Sequence, residues 1–146
     1  MHDQDDLSRA VADARSLVDA ARRIVLLTGA GISTDSGIPD FRGPDGLWTK
    51  NPGAERASHI DVFLGDASAR EATWAMVRSM ADPERRPKPN AGHACCARLH
   101  AAGRVALVVT QNIDGLHQLG GLPQKALVEV HGSFATARCS RSARRR

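Results

Sequence analysis

The sequence predicts an α/β fold in which a small parallel sheet is flanked by helices. Two short apolar runs have the composition of buried strands: residues 24–27 (IVLL), which suit a strand covered on both faces, and residues 105–110 (VALVVT). A third run, residues 127–130 (LVEV), predicts a third strand. Helical segments separate the first two runs, as the connections between parallel strands require. Each run also leads directly into a polar or glycine-rich segment, which is where ligands bind in open α/β sheets.

The segments around the strands have helical spacing. Apolar side chains recur at that spacing in residues 7–21, which predicts an amphipathic first helix with one face to bury. Residues 62–80 also have a helical pattern, and residues 90–99 form a helix that the asparagine at its start caps. Residues 37–52 are rich in Gly, Pro and Asp and predict a long loop without regular structure. Phe41 and a nearby tryptophan indicate that this loop is ordered and docked.

Length and charge restrict the class of protein. A chain of 146 residues suits one domain, and its net charge is +4 with a pI near 9.5. Much of the excess charge comes from five arginines within residues 138–146. We expect residues 139–146 to be a disordered basic tail. A nucleic-acid-binding arm is the alternative, but no aromatic stacking residues support it, so a nucleic-acid partner is not expected.

The predicted cellular compartment depends on the signals for export and membrane insertion, which we do not find in the sequence. Three cysteines, Cys95, Cys96 and Cys139, are too few for a disulfide framework. The first residues are acidic and lack the basic and apolar regions of a signal peptide, and no apolar run approaches the length of a membrane span. We therefore expect a soluble cytoplasmic protein without a membrane partner.

A glycine-rich turn follows the first predicted strand. Gly29 can take the tight turn, and Gly31 lets the backbone approach a pyrophosphate, which predicts a Rossmann-like, dinucleotide-type turn. The third glycine of the usual fingerprint is absent, because position 34 is Thr34. An ordinary turn between a strand and a helix therefore stays an alternative.

Polar residues also follow the other two predicted strands. Gln111, Asn112 and Asp114 come after the second, where their side chains can hydrogen-bond a ribose and a carboxamide. A turn stabilised by the Asn and Asp side chains is the alternative. His131 follows the third strand and can act as a general base near neutral pH, although a single histidine is more often structural.

Taken together, these segments resemble the sequence motifs of the sirtuin family, bacterial type. Residues 29–43 (GAGISTDSGIPDFRG), 110–117 (TQNIDGLH) and 129–132 (EVHG) are similar to its three signatures and occur in the same order. The similarity extends from about residue 23 to residue 139. It implies that residues 1–138 form a partial NAD-binding and catalytic domain with a Rossmann-like sheet.

The resemblance also implies an activity. Sirtuins use NAD as a co-substrate to remove acetyl or other acyl groups from lysine side chains, and they release nicotinamide and an O-acyl-ADP-ribose. The implied partner is an acylated-lysine protein or peptide. The implied catalytic residues are His131 as general base, with Asn112 and Asp114. The implied NAD-binding residues, from the phosphates through the mobile loop to the nicotinamide riboside, are Gly29, Ala30, Gly31, Ile32, Asp40, Phe41, Arg42, Gln111, Asn112, Ile113 and Asp114.

The sequence departs from the family pattern after the His-Gly pair. The family has a structural zinc site there, made of two Cys-x-x-Cys pairs. Cys139 stands at the first ligand position, but Ser142 stands at the second, and neutral serine is a poor zinc ligand. We expect Cys139 to be a remnant ligand that binds no zinc, with the zinc module and the C-terminal strands incomplete or missing. A catalytically inactive remnant with at most weak NAD binding is therefore the alternative function, and a mono-ADP-ribosyltransferase is a third.

Overall fold

The fold is built on a three-stranded, fully parallel sheet. The computed structural model of the chain describes residues 2–80, 82, 86–137 and 139. The strands are β1 (Ile24–Thr28), β2 (Val105–Thr110) and β3 (Leu127–Glu129), in the spatial order β1-β2-β3. Helices precede, connect and flank them, so the predicted fold class is confirmed.

The helices lie mainly between β1 and β2. They are α1 (His2–Ala20), α2 (Leu47–Lys50), α3 (Pro52–Ala57), α4 (Ile60–Gly65), α5 (Ala67–Met80), α6 (Ala91–Ala101) and α7 (Leu116–Leu119), with 3₁₀ helices at Ala30–Ser36 and Gln124–Ala126. None of the helices in the described ranges combines the length and the hydropathy that a membrane crossing needs.

The last residues of the three strands lie side by side. Thr28 is in register with Thr110, and Thr110 is in register with Glu129. Because side chains alternate between the faces of a strand, these three residues share one face of the sheet. All three strands are parallel, so the segments that follow them start from the same edge.

One face of the sheet is covered. Val105 and Val108 of β2 and Leu127 of β3 are buried, and they form the core together with Cys96 of α6 and Leu122. Burial of this apolar surface is what holds α6 and the loop before β3 against the sheet.

The opposite face of the sheet is open among the described residues. The exposed fractions of Val25 and Leu27 are 61% and 70%, and Val128 is also exposed. The apolar side chains of α1, Leu7 and Leu17 among them, are exposed as well. Strand composition and helical spacing correctly predicted these elements. Their burial was wrong for the described part of the chain, because burial requires a second element packed on the same surface.

The long segments between β1 and β2 differ in detail from the predictions. The predicted helix over residues 62–80 is two helices, because Asp66 has extended backbone and its carboxylate accepts hydrogen bonds from Ser68 N and Ala69 N at the start of α5. The predicted loop over residues 37–52 contains a short helix, α2 (Leu47–Lys50). The rings of Phe41 and Trp48 lie 4.7 Å apart, so two aromatic residues of the loop pack on each other. Docking of the loop onto the rest of the chain stays a prediction.

Candidate functional site

Backbone hydrogen bonds hold the ends of the three strands together. Gln111 N donates to Thr28 O at 2.9 Å, which joins the segment after β2 to the end of β1. Val130 N donates to Thr110 O at 3.0 Å, which joins the residue after β3 to the end of β2. The three segments that the sequence predicts to carry function therefore meet at one edge of the sheet.

The glycine turn borders open space. A Cβ atom added at Gly31 would meet no atom within 4 Å, so the backbone there is accessible to a ligand. The turn continues into the 3₁₀ helix that begins at Ala30. Asn112 Nδ2 donates to Gly29 O at 3.0 Å, which fixes the turn against the segment after β2.

Ser33 is the polar centre of the site. Its side chain is only 1% exposed, and its hydroxyl donates to Asp114 Oδ2 at 2.8 Å while it accepts from Asn112 Nδ2 at 3.1 Å. Asp114 Oδ1 accepts from Leu116 N at 2.9 Å, which sets the start of α7. These bonds leave Asn112 Oδ1 without a partner among the described residues, so it can still accept a hydrogen bond from a ligand. Sequence reasoning did not single out Ser33, since one serine in a motif has many possible roles.

Asn90 connects α6 to the segment after the glycine turn. Its side-chain Oδ1 accepts from Gly92 N and His93 N, so the predicted helix cap is confirmed. Its amide also donates to Ile32 O at 2.7 Å and to Ser36 Oγ at 3.0 Å. One side chain thus both starts α6 and holds the 3₁₀ helix in place.

Two buried histidines lie beneath the site. His93 and His117 are 0% and 1% exposed, and their rings meet edge to face at 5.1 Å. His93 Nδ1 accepts from Asn90 N at 3.3 Å, and its Nε2 lies 3.5 Å from Ser33 Oγ. Because Ser33 gives its proton to Asp114, His93 Nε2 carries the proton in this contact. His117 Nε2 lies 2.9 Å from Thr28 Oγ1.

Sequence reasoning missed both histidines. His93 was given no role, because a single histidine in a helix is usually exposed or capping. The available signal was its place three residues after the capping Asn90, which is the spacing of a capping box. His117 lay within a recognised motif, but no pattern distinguished its buried position.

Burial disfavours the protonated, charged form of both imidazoles. Burial lowers the pKa of His93 below its usual 6.5, and the nearby Asp114 offsets this in part. Burial is also the main cause that lowers the pKa of His117, and His93 lowers it further. Asp114 and Glu129 raise the pKa of His117 by smaller amounts. Both rings are therefore neutral in the folded chain at pH 7.

Stability should therefore decrease as the pH falls. The pKa values of His93 and His117 are lower in the folded chain than in the unfolded one, so below pH 6.5 the unfolded chain binds more protons. The full stability is present above pH 6.5, and each histidine removes at most about 1.4 kcal/mol per pH unit below it. Urea unfolding between pH 7.5 and 5.5 measures this. His117→Gln should reduce the slope, and a midpoint independent of pH would contradict the prediction.

A backbone hydrogen bond holds the segment that contains His131 beside the segment that follows β2. Phe134 N donates to Ile113 O at 2.9 Å, so the segment that carries His131 runs beside the segment after β2. The imidazole itself is exposed and lines an open cavity of about 810 Å³ together with Gln118, Gln124 and Glu129. Among the described residues, it makes no hydrogen bond to the Asn and Asp side chains of the site.

The predicted cofactor loop forms its own cluster. Asp40 accepts from Gly43 N at 3.1 Å, while Arg42 lies 4.6 Å from the ring of Trp48 and 3.5 Å from Glu55. Within the described ranges, no hydrogen bond or ion pair joins the side chains of residues 40–42 to the strand ends. The contacts of these side chains are therefore within the loop itself and to α2 and α3.

Cys139, which the sequence predicts to be a remnant zinc ligand, lies at the end of the described residues. Cys139 is exposed, and the described residues contain no group of three or more His, Cys, Asp or Glu placed to hold a metal ion. Ser142 and most of the predicted tail lie outside the described residues. The expectations for zinc and for the tail therefore stay predictions.

The parallel sheet and its polar strand ends define a Rossmann-like α/β protein. Residues 29–146 match the model of the Sir2 family, so the chain belongs to that family. It is 41% identical over 134 residues to NAD-dependent protein deacetylase 1 of Bradyrhizobium diazoefficiens, covering 92% of this chain and 51% of that protein. It is 43% identical over 117 residues to NAD-dependent protein deacetylase 2 of Streptomyces coelicolor, covering 80% and 48%. The chain thus spans about half the length of these curated relatives.

Solved structures agree with this assignment. A structure described as "Structural Basis for the Mechanism and Regulation of Sir2 Enzymes" superimposes with a TM-score of 0.76 at 37% identity, covering 92% of this chain and 50% of that one. A second, described as "Sir2-p53 peptide-NAD+", gives a TM-score of 0.71 at 35% identity, covering 92% and 50%. The recognition of a sirtuin from its motifs is therefore confirmed.

Proposed function

We propose that this chain provides the NAD-binding and catalytic part of an NAD-dependent protein lysine deacylase. In that reaction an acyl group moves from a lysine side chain to ADP-ribose, and nicotinamide is released. The observation that carries the proposal is the convergence of three strand ends, in which Asn112 joins Gly29 and Ser33 while Val130 joins Thr110. The relatives named as NAD-dependent protein deacetylases support the same activity.

The residues at the strand ends fit a dinucleotide. The open space at Gly31 admits a phosphate close to the backbone, and Asn112 Oδ1 is available to a ribose hydroxyl. Gly29, Ala30 and Ile32 complete the phosphate side. We further propose that the remaining NAD contacts come from the residues predicted for the nicotinamide riboside, namely Gln111, Ile113 and Asp114.

In the proposed reaction, NAD and the protein have separate roles. NAD supplies a ribose carbon that accepts the acyl oxygen once nicotinamide leaves. Asn112 and Asp114 orient the reacting groups, since their side chains are held by Ser33 rather than left to rotate. His131 then takes a proton at a ring nitrogen, relayed from a ribose hydroxyl that attacks the acyl carbon.

Water must be kept from the reacting carbon, because it would otherwise hydrolyse NAD without deacylation. We propose that Asp40, Phe41 and Arg42 provide this cover as part of a mobile loop. Phe41 is exposed in the structure and its ring packs on Trp48, so the loop has to release this contact before Phe41 covers a bound co-substrate. The proposed partner is an acylated-lysine protein or peptide, which enters beside His131.

Mass spectrometry of an acetyl-lysine peptide incubated with NAD and the chain tests the proposal. Loss of the acetyl group that requires NAD is the expected result. An unchanged peptide would contradict the activity and favour the inactive alternative. A gain of one ADP-ribose would instead indicate a mono-ADP-ribosyltransferase. A reaction without NAD is the control for hydrolysis by other means.

A further inference from the structure

Two polar atoms beneath the strand ends are buried without a hydrogen-bond partner in the part of the chain that the structure describes. They are His117 Nδ1 and Glu129 Oε1. A buried nitrogen or carboxylate oxygen without a partner is unfavourable, because it has lost water and gained nothing in return. His117 Nδ1 is a potential donor and Glu129 Oε1 a potential acceptor, so the two atoms have complementary requirements.

The register of the sheet places Glu129 in one row with Thr28, the residue that His117 contacts. Thr28, Thr110 and Glu129 are aligned across the three strands on the covered face. Since neighbouring strands lie about 4.8 Å apart, Thr28 and Glu129 are separated by roughly 10 Å. His117 Nε2 already contacts Thr28 Oγ1 at 2.9 Å, so its ring lies over this row. An imidazole with a hydrogen bond of about 2.8 Å at each nitrogen spans about 8 Å. The long side chain of Glu129 covers the remaining distance.

The charged groups around His117 also favour Glu129 as the partner of its Nδ1. His93, Asp114 and Glu129 are the titratable groups that act on it, and the carboxylate of Glu129 favours a proton on the ring. Asp114 is already engaged by Ser33 and by Leu116 N. Glu129 is therefore the acceptor available to His117 Nδ1.

We infer that Glu129 is a positioning residue that accepts a hydrogen bond from His117 Nδ1–H, which completes a Thr28–His117–Glu129 chain across all three strands. In this chain the Thr28 hydroxyl donates to His117 Nε2, and the opposite ring nitrogen carries the proton. A rotation about the side-chain bonds of Glu129 brings its carboxylate onto the ring. The chain then fixes β3 relative to β1 at the level of the site.

The consequence for function rests on the proposed deacylase activity. Glu129 lies two residues before His131, and both side chains line the same open cavity. Fixing Glu129 therefore sets where the segment with His131 leaves the sheet. Glu129 acts in this way on the position of His131 and needs no contact with a substrate.

Long-range ¹H–¹⁵N NMR of the full chain labelled at histidine tests the hydrogen bond without any co-substrate. We expect His117 to be the neutral Nδ1–H tautomer, with the signal assigned by its loss in His117→Gln. Glu129→Gln keeps an oxygen acceptor and should retain that tautomer, whereas Glu129→Ala should lose it. Gln124→Ala, which alters another side chain of the same cavity, should leave it unchanged.

An Nε2–H tautomer of His117 in the unaltered chain would overturn the inference, and so would an unchanged tautomer in Glu129→Ala. If Glu129→Ala fails to fold, the unaltered chain and Glu129→Gln still decide. In a deacylation assay, Glu129→Ala should lower kcat by about 10- to 100-fold, and Glu129→Gln should restore most of it with little change in KM for the peptide. Absence of deacylation by the unaltered chain would contradict the proposed function alone, since the tautomer is measured independently.

Discussion

Replacing His131 with alanine is expected to abolish deacylation while NAD binding is largely retained. His131 follows β3 at the edge where the three strand ends meet, and its imidazole is exposed to solvent and so accessible to a substrate. Loss of a general base typically costs 10²- to 10⁴-fold in rate. The measurements are kcat/KM for an acetyl-lysine peptide and the Kd of NAD by calorimetry.

His100→Gln is the matched control for that substitution. His100 Nδ1 lies 2.8 Å from Val105 O, at the opposite end of β2 from the site, so its replacement should leave kcat/KM within about twofold. Deacylation by His131→Ala at the rate of the unaltered chain would remove His131 from the role of base. A parallel loss of NAD binding would instead indicate that His131 supports the co-substrate site.

Ser33→Ala should destabilise the chain and weaken NAD binding together. Removal of the buried hydroxyl takes the donor from Asp114 Oδ2 and an acceptor from Asn112 Nδ2. Each buried polar group left unpaired costs about 1–3 kcal/mol, so the expected loss in free energy of unfolding is about 2–4 kcal/mol. Asn112 and Asp114 would also lose their fixed orientation. Urea unfolding and NAD titration measure the two effects.

Thr34→Ala provides the comparison for Ser33→Ala. Thr34 is the next residue, and its exposed hydroxyl donates to Gly31 O at 3.0 Å within the same turn. Because the exposed Gly31 O can accept a hydrogen bond from water instead, the expected loss in free energy of unfolding is within about 0.5 kcal/mol. Equal effects of the two substitutions would contradict the central role of Ser33.

The elements that depend on local sequence were predictable. The short runs rich in β-favouring residues predicted β1, β2 and β3, since such runs suit parallel strands, although Glu129 ends the third one. Asn90 gave the start of α6, since an asparagine side chain can satisfy the free N–H groups there. The break at Asp66 was missed, because helical spacing continues on both sides of it and only the backbone shows the interruption.

Within the site, the sequence by itself determined which segments carry polar groups and the family to which the chain belongs. The tertiary structure decided which of those groups form hydrogen bonds with one another. The Ser33 hydroxyl lies at the centre of the site and bonds to the side chains of Asn112 and Asp114. The tertiary structure also placed His93 and His117 in contact although they lie on different helices.

The physical reason for this division is the range of the interactions. Strand composition, helical spacing and caps act over a few residues, so they can be read along the chain. Burial and hydrogen bonding between Ser33 and Asp114, or between Thr28 and His117, join residues more than 80 positions apart. Such pairs form only when packing of the sheet brings the strand ends together.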